Sequence, residues 1–372
     1  MIAFLTQYYR GLGHAMRVKY ISDCLPKNSF VMINQLYNPP IKYNTEYSYY
    51  LEEIPPKNID NYKYLLHTDT IRKRAVKAVK ILDNHPEIKT LLCEGFPFCR
   101  QQFSYEYFYL LEECRKRNIK IIVSIRDYPW DEPHYQSLQD WVAKSINYII
   151  EKFDCDILIH GDEKVLPLMS DITNAYYWSD LLEDIKSRIY YTGYVCNPEV
   201  KRHSRKNNEV YISCGLNKEE SFYIYNKILR SLVPRFPDLS FIITLGNENL
   251  FSKIGNRESS QVKIVNYIPN LSKKLEECTA YITYGGYNST TDIFKSKIPA
   301  IIIPRQDGNK LEQLIRCYKL EPYNLFKVCS YYNLNNIHLY LSDILNNYNS
   351  FPESIEIDLE GANNSARFLE NI

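Results

Sequence analysis

The chain alternates short, almost wholly apolar runs with longer stretches in which apolar positions recur at helical spacing. Ile2–Thr6, Phe30–Ile33, Lys89–Cys93, Ile119–Ile125, Asp156–His160 and Ile189–Val195 form a first series of such runs. Val210–Ser213, Ser240–Leu245, Val262–Val265, Ala280–Thr283, Ala300–Pro304 and Leu325–Val328 form a second. Runs without apolar–polar alternation are the pattern of strands covered on both faces. Between them, Tyr105–Arg117 and Ser221–Leu232 carry amphipathic helical periodicity. Strand and helix in alternation, twice over, predict an α/β protein with two parallel sheets.

The two series are separated by Asn197–Asn208, which is charged and has no apolar periodicity. The predicted organisation is a Rossmann-like N-terminal domain over 1–197, a linker over 198–208 and a Rossmann-like C-terminal domain over 209–355. Residues 356–372 read as a final helix that packs back toward the first lobe. Two such lobes would face a central cleft, because open α/β sheets bind ligands beyond the C-terminal ends of their strands.

Composition narrows the function classes. Over 372 residues, 45 Lys and Arg face 44 Asp and Glu, a formal net charge of +1, which excludes global electrostatic steering to nucleic acid. With 45% hydrophobic residues the chain is not of the disordered class. No apolar stretch approaches the ~20 residues that span a bilayer. Met1–Thr6 lacks a basic flank and reads as a strand rather than a secretion signal. The ten cysteines include no C-x-x-C pair, so reduced thiols in the cytoplasm are expected, with no zinc or disulfide framework.

The first strand runs into Gly11-Leu-Gly13-His14-Ala-Met-Arg17, which opens a helix. Glycines there let backbone N–H groups approach a ligand. The third glycine of a dinucleotide fingerprint is missing, and Asn34-Gln35 stands where its acid would end the second strand. A nicotinamide or flavin enzyme is therefore disfavoured. A neutral His14 at this turn can take a proton from an acceptor hydroxyl. The plainer alternative is a helix-start imidazole bonded to backbone or phosphate.

Three strands of the first series are followed at once by an acid: Glu94, Asp127 and Asp162. Each can be a helix cap, and each can also ring the sheet edge that carries His14. Asp127, beside Arg126, is the expected orienting partner of His14.

In the second half, Thr283-Tyr-Gly-Gly-Tyr-Asn-Ser-Thr-Thr-Asp292 joins a strand to a helix expected to begin near Asn288. That helix start suits a diphosphate. Asp292, one turn inside, can accept both hydroxyls of a ribose. Glu312 and Gln313, after the next strand, can meet a second polyhydroxyl group. Alternatively, Ser289-x-x-Asp292 is a capping box, and Glu312 and Gln313 are solvated helix residues paired with Arg316.

At this point the sequence resembles a family. The stretch from Gly285 to Leu320 looks like the donor-binding segment of GT-B glycosyltransferases, the group that contains the N-acetylglucosaminyltransferase of peptidoglycan lipid synthesis and related predicted bacterial enzymes. Asp292 stands where those enzymes carry Glu, while Glu312-Gln313-x-x-Arg316 matches their run. Gly11-x-Gly13-His14-x-x-Arg17, Glu94–Arg100 and Ser124–Asp127 resemble further family segments in the first half.

The resemblance implies a metal-independent, inverting transferase that uses a nucleoside-diphosphate sugar, with UDP the expected nucleotide and no cofactor. It implies Gly285, Gly286, Asn288 and Ser289 at the diphosphate, Asp292 at the ribose, and Glu312 and Gln313 at the sugar, with Arg316 adding charge. His14 is the implied base and Asp127 its helper. Gly11, Gly13, Arg17 and Glu94 form the loop for phosphate or acceptor.

Two other functions fit the same residues: a nucleotide-sugar hydrolase that activates water, and a non-catalytic nucleotide-sugar-binding protein. The expected partners are the donor and a hydroxyl acceptor that is small, lipid-linked or polymeric. Arg72-Lys-Arg74 with Lys77 and Lys80 offers a basic face for peripheral contact with the inner side of a membrane, or is simply a solvated helix face.

Overall fold

A computed structural model describes residues 1–7, 13–34, 41–52, 54, 69–128, 136–166, 184–214, 219–245, 259–266, 268–305, 312–347 and 356–372. The chain divides into two compact units, Met1–Cys196 with Asp358–Ile372, and Asn197–Ile357.

The first unit contains β1 (Ile2–Thr6), α1 (Gly13–Asp23), β2 (Phe30–Asn34), β3 (Ser48–Tyr50), α2 (Asp69–Asn84), β4 (Thr90–Glu94), α3 (Ser104–Lys116), β5 (Lys120–Arg126), α4 (Gln136–Lys152), β6 (Asp156–His160) and β7 (Ile189–Tyr191). The strands form one parallel sheet in the order β3-β2-β1-β4-β5-β6-β7. The order reverses between β1 and β4, and a doubly wound sheet opens a crevice at that switch point.

β1, β2 and β4 are buried along their whole length, as their continuous apolar runs require. β3 is short and half-buried, with no apolar run, which is why the hydrophobic pattern misses it. Ile189–Val195 holds strand geometry only over Ile189–Tyr191.

The second unit contains β8 (Glu209–Ser213), α5 (Glu219–Leu232), β9 (Ser240–Thr244), β10 (Val262–Val265), α6 (Leu271–Lys274), β11 (Ala280–Thr283), α7 (Tyr287–Ser296), β12 (Ala300–Ile302), α8 (Glu312–Leu320), β13 (Lys327–Val328) and α9 (Ile337–Asn346). Its sheet is parallel, in the order β10-β9-β8-β11-β12-β13, and switches between β8 and β11. Val210, Ile212, Phe241, Ile243 and Ile282 pack beneath α5 and α9 in one core.

Residues 198–208, read as a linker, form no helix or strand. They are bonded along the second unit: His203 N donates to Ser296 O at 2.6 Å, Ser204 N to Glu276 O at 2.7 Å and Lys206 N to Glu277 O at 2.8 Å. The charge of this segment serves that docking, through Lys206 to Glu277 for example.

The final helix α10 (Gly361–Glu370) belongs to the first unit. Ala362, Ala366 and Leu369 pack with Ile2, Phe4, Val18 and Ile21. Tyr194 N donates to Asp358 O at 2.7 Å, which fixes the chain as it enters the helix.

The basic stretch on α2 needs a correction. Arg74 is fully buried, with Nε donating to Glu106 Oε2 at 2.7 Å and Nη2 to Gln7 Oε1 at 2.7 Å. It lies on the apolar side of the helix, among Ile71, Ala75 and Ala78, so the basic face loses its central residue to an internal ion pair. No helix among the described residues is long and apolar enough to cross a membrane. No disulfide joins any of the ten cysteines.

Candidate functional site

Each switch point gathers polar groups. In the first unit, α1 begins at Gly13, the next element in the chain after β1, and carries His14 and Arg17 one turn apart. Glu94 ends β4, the strand hydrogen-bonded to β1. His14 Nδ1 lies 2.8 Å from Glu94 Oε1, and Arg17 Nη2 donates to the same oxygen. A carboxylate oxygen so near an unprotonated ring nitrogen would set two acceptors against each other. The proton therefore sits on Nδ1, and Nε2 is the basic atom.

Electrostatics support a neutral imidazole. Burial first, then the Arg100 charge, lower the His14 pKa to about 3, against an opposing pull from Glu94. Burial alone would raise Glu94, but Arg17, His14 and Ser124 outweigh it and hold its carboxyl well below the usual range. Arg17 is 2% exposed and Glu94 is fully buried, whereas the His14 side chain keeps 18% exposure. The arrangement is an oriented imidazole whose supports are out of solvent.

In the second unit, β11 ends at Thr283 and α7 begins at Tyr287, with Gly286 as its N-cap. The expected start near Asn288 is one residue late, and Asn288 and Ser289 are already inside the first turn. That turn's N–H groups have no carbonyl partner within the helix, and they carry the positive end of its dipole. The capping-box alternative fails because the N-cap is Gly286, so Ser289 lies inside the helix rather than at its cap.

The two adjacent glycines differ. A Cβ on Gly285 would lie 2.3 Å from Cys317 Sγ of α8, so that position is closed by packing. A Cβ on Gly286 would meet nothing within 4 Å, so the turn is open on that side. Arg316 is fully buried, with Nη1 donating to Gly285 O at 2.8 Å and Nη2 to Glu312 Oε1 at 2.6 Å. Gln313 Oε1 accepts from Arg305 N at 3.1 Å, holding the end of the segment after β12. Burial pushes the Asp292 carboxyl up to about 7, against a hydrogen bond with Ser272 of α6 that lowers it.

No protein-family model matches the chain. Over 100 residues, 27% of the chain, it is 24% identical to the UDP-N-acetylglucosamine–N-acetylmuramyl-(pentapeptide) pyrophosphoryl-undecaprenol N-acetylglucosamine transferase of Thermosipho melanesiensis, and the match spans 28% of that protein. Solved structures match along nearly the whole chain. MurG of Acinetobacter baumannii aligns with a TM-score of 0.57 at 11% identity, over 100% of this chain and 99% of that one. The kitacinnamycin glycotransferase gives 0.59 at 11% identity, over 100% and 98%. A putative UDP-N-acetylglucosamine 2-epimerase from Listeria monocytogenes gives 0.61 at 10% identity, over 99% and 94%.

The fold is GT-B.

Within this GT-B fold the expected residues separate into groups. Gly13, His14, Arg17 and Glu94 come together, while Gly11 lies outside the described residues. Glu94, rather than Asp127, is the acid bonded to His14. Asp127 follows β5, one strand farther from β1 than β4 is, and its Oδ1 accepts from Tyr128 N at 2.9 Å. Asp162 accepts from Asp358 N at 2.9 Å and so secures the return of the chain toward α10.

Gly285, Gly286, Asn288, Ser289, Glu312, Gln313 and Arg316 cluster at the second switch point. Arg316 is a buried strut rather than a surface ion pair, because α8 turns it inward onto the Gly285 carbonyl. Glu312, 8% exposed, is its counter-ion. Sequence reasoning missed Ser124 and His160, which extend the Glu94 cluster through β5 and β6. The available signal was a polar residue near the C-terminal end of an otherwise apolar strand. Among the described residues, no group of three or more His, Cys, Asp or Glu side chains is placed to hold a metal ion.

Proposed function

We propose that the protein is a glycosyltransferase that moves a sugar from a nucleoside-diphosphate sugar, with UDP the nucleotide, to an acceptor hydroxyl. The observation that carries the reading is the carboxylate-oriented His14, whose Nδ1 lies 2.8 Å from Glu94. His14 Nε2 takes the acceptor proton as the acceptor oxygen bonds to the anomeric carbon and the bond to the β-phosphate oxygen breaks. One in-line displacement of this kind inverts the anomeric centre. The leaving diphosphate receives the N–H groups of the first turn of α7, across the open side of Gly286. That electrostatic support makes a metal ion unnecessary in this reading. Asp292 takes the ribose hydroxyls, and Gln313 with Glu312 frames the sugar.

The Thermosipho relative is named for a pyrophosphoryl-undecaprenol acceptor, so lipid-linked hydroxyls belong in the acceptor panel. A second reading, hydrolysis of the nucleotide sugar by water at His14, draws on the likeness to a putative epimerase, a protein named for a reaction on the nucleotide sugar itself.

A thermal-shift screen of nucleoside diphosphates, nucleotide sugars and dinucleotides tests the class, because a ligand of the native state raises stability by mass action. UDP and UDP-sugars should stabilise, and NAD and FAD should not. Slow donor consumption that one acceptor accelerates greatly supports transfer over hydrolysis. Stabilisation by dinucleotides alone removes both readings.

A further inference from the structure

Behind Glu94 lies a row of buried polar side chains that crosses the sheet. Ser124 in β5 sits directly opposite Glu94 in the strand register, and its Oγ donates to Glu94 Oε2 at 2.6 Å. His160 at the end of β6 places Nε2 2.8 Å from that same hydroxyl. Its Nδ1 lies 2.9 Å from Thr192 Oγ1, just beyond β7. Ser365 of α10 is 3.5 Å from Nδ1. Ser124, His160 and Ser365 are fully buried, and Thr192 is 4% exposed.

The ionised carboxylate fixes the direction of this row. Glu94 can only accept, so Ser124 spends its single hydrogen on Oε2 and must itself accept from His160. His160 then carries its proton on Nε2 and accepts at Nδ1. Burial first, then the Arg17 charge, keep this imidazole neutral, with a pKa lowered to about 3. The Ser124 and His160 protons both point toward Glu94. A buried Ser–His pair on one oxygen of an acid whose other oxygen grips a second imidazole is more than core packing needs, since buried polar groups in a sheet are costly unless satisfied.

We propose that Ser124 and His160 are positioning residues for His14. They lock the Glu94 carboxylate so that Oε1 stays aimed at His14 Nδ1 and Nε2 remains the basic atom. The proposal rests on the reading of His14 as the transferase base. The acceptor proton ends on His14 Nε2, and no proton leaves Nδ1, Glu94, Ser124 or His160 during the step. The charged groups facing His14 are Arg17 from its own helix, Glu94 at the end of β4 and Arg100 in the turn that follows. Those facing His160 are Arg17 and Glu94. Without Ser124, Oε2 loses its donor and the carboxylate is free to turn, which relaxes the choice of tautomer at His14.

The test combines nitrogen-15 NMR of the His14 ring at neutral pH with steady-state kinetics on full-length wild type, Ser124→Ala, Ser124→Thr and His160→Leu. Wild type should show one tautomer, protonated on Nδ1. Ser124→Ala should show mixed tautomers and a kcat lowered about tenfold, with the donor KM within about twofold. Ser124→Thr, which keeps the hydroxyl, should restore both. His160→Leu should resemble Ser124→Ala in milder form, and if it fails to fold the Ser124 pair decides alone. A single wild-type tautomer with unchanged kcat in folded Ser124→Ala overturns the proposal, as does a Ser124→Thr variant as impaired as Ser124→Ala. Tautomer mixing in a protein that transfers no sugar upholds the coupling and counts against the transfer reading alone.

Discussion

The two switch points share a construction and differ in what they present. In each, a buried arginine is paired with a glutamate: Arg17 with Glu94 in the first unit, Arg316 with Glu312 in the second. In the first, the pair supports a side chain, the imidazole of His14. In the second it supports backbone, through the Gly285 carbonyl and the helix start beyond it. One site is therefore suited to moving a proton and the other to holding an anion. The difference teaches that the two buried arginine–glutamate pairs work from behind, and that in the proposed reading the ligand meets a ring nitrogen in one unit and N–H groups with the Asp292 carboxylate in the other.

This contrast can be broken most forcefully at the struts. Arg316→Ala leaves Glu312 buried without its counter-ion, and should lower stability by about 3–5 kcal/mol in urea unfolding. A change near zero would return Arg316 to the surface pair read from sequence.

The adjacent glycines sharpen the comparison next. Gly285→Ala should destabilise by about 1–3 kcal/mol through overpacking against Cys317. Gly286 has φ −68° and ψ 150°, which alanine adopts freely, so Gly286→Ala should leave stability within about 0.5 kcal/mol. It should nevertheless weaken UDP binding about tenfold by calorimetry, because the new methyl lies on the open side of the turn. Equal stability losses in the two variants would contradict the distinction.

Acid should act mainly on the first unit. His14 and His160 titrate near 6.5 when unfolded and near 3 in the native state. Between those values the unfolded chain binds more protons, so stability falls as the pH falls through that window. Glu94, lowered in the native state, adds a loss of the same sign at more acidic pH. His160→Gln should shrink the loss between pH 6 and pH 4, and an unchanged slope would mean that His160 is not buried neutral.

The smallest effect concerns Asp292. Its carboxyl, pushed up to about 7, must ionise to accept two ribose hydroxyls, so UDP affinity should rise modestly from pH 6 to pH 8. Asp292→Asn should flatten that rise. A slope unchanged in the variant would remove Asp292 from the ribose.

Much of the architecture was legible in the hydrophobic pattern, because strands buried on both faces leave long apolar runs such as Phe30–Ile33 and Val210–Ser213. β3 was not legible, since a half-buried edge strand of three residues leaves no such run. Arg74 and Arg316 were misread because basic residues usually lie on solvated faces. Their burial depends on partners distant along the chain, Glu106 for Arg74 and the Gly285 carbonyl for Arg316. Glu94 was flagged as a strand-end acid but not as the partner of His14. Only the strand order, with β4 beside β1 and β5 one place beyond, decides that it rather than Asp127 reaches His14. Ser124 and His160 were invisible for the same reason, as their meaning comes from neighbours in the sheet.

The division of labour between the two units is tested most directly by His14→Ala, assayed for UDP binding by calorimetry and for sugar transfer in parallel. The account predicts nucleotide affinity within about twofold of wild type, with transfer lowered by about a hundredfold or more. Transfer at the wild-type rate, or loss of UDP binding in a variant that remains folded, would contradict it.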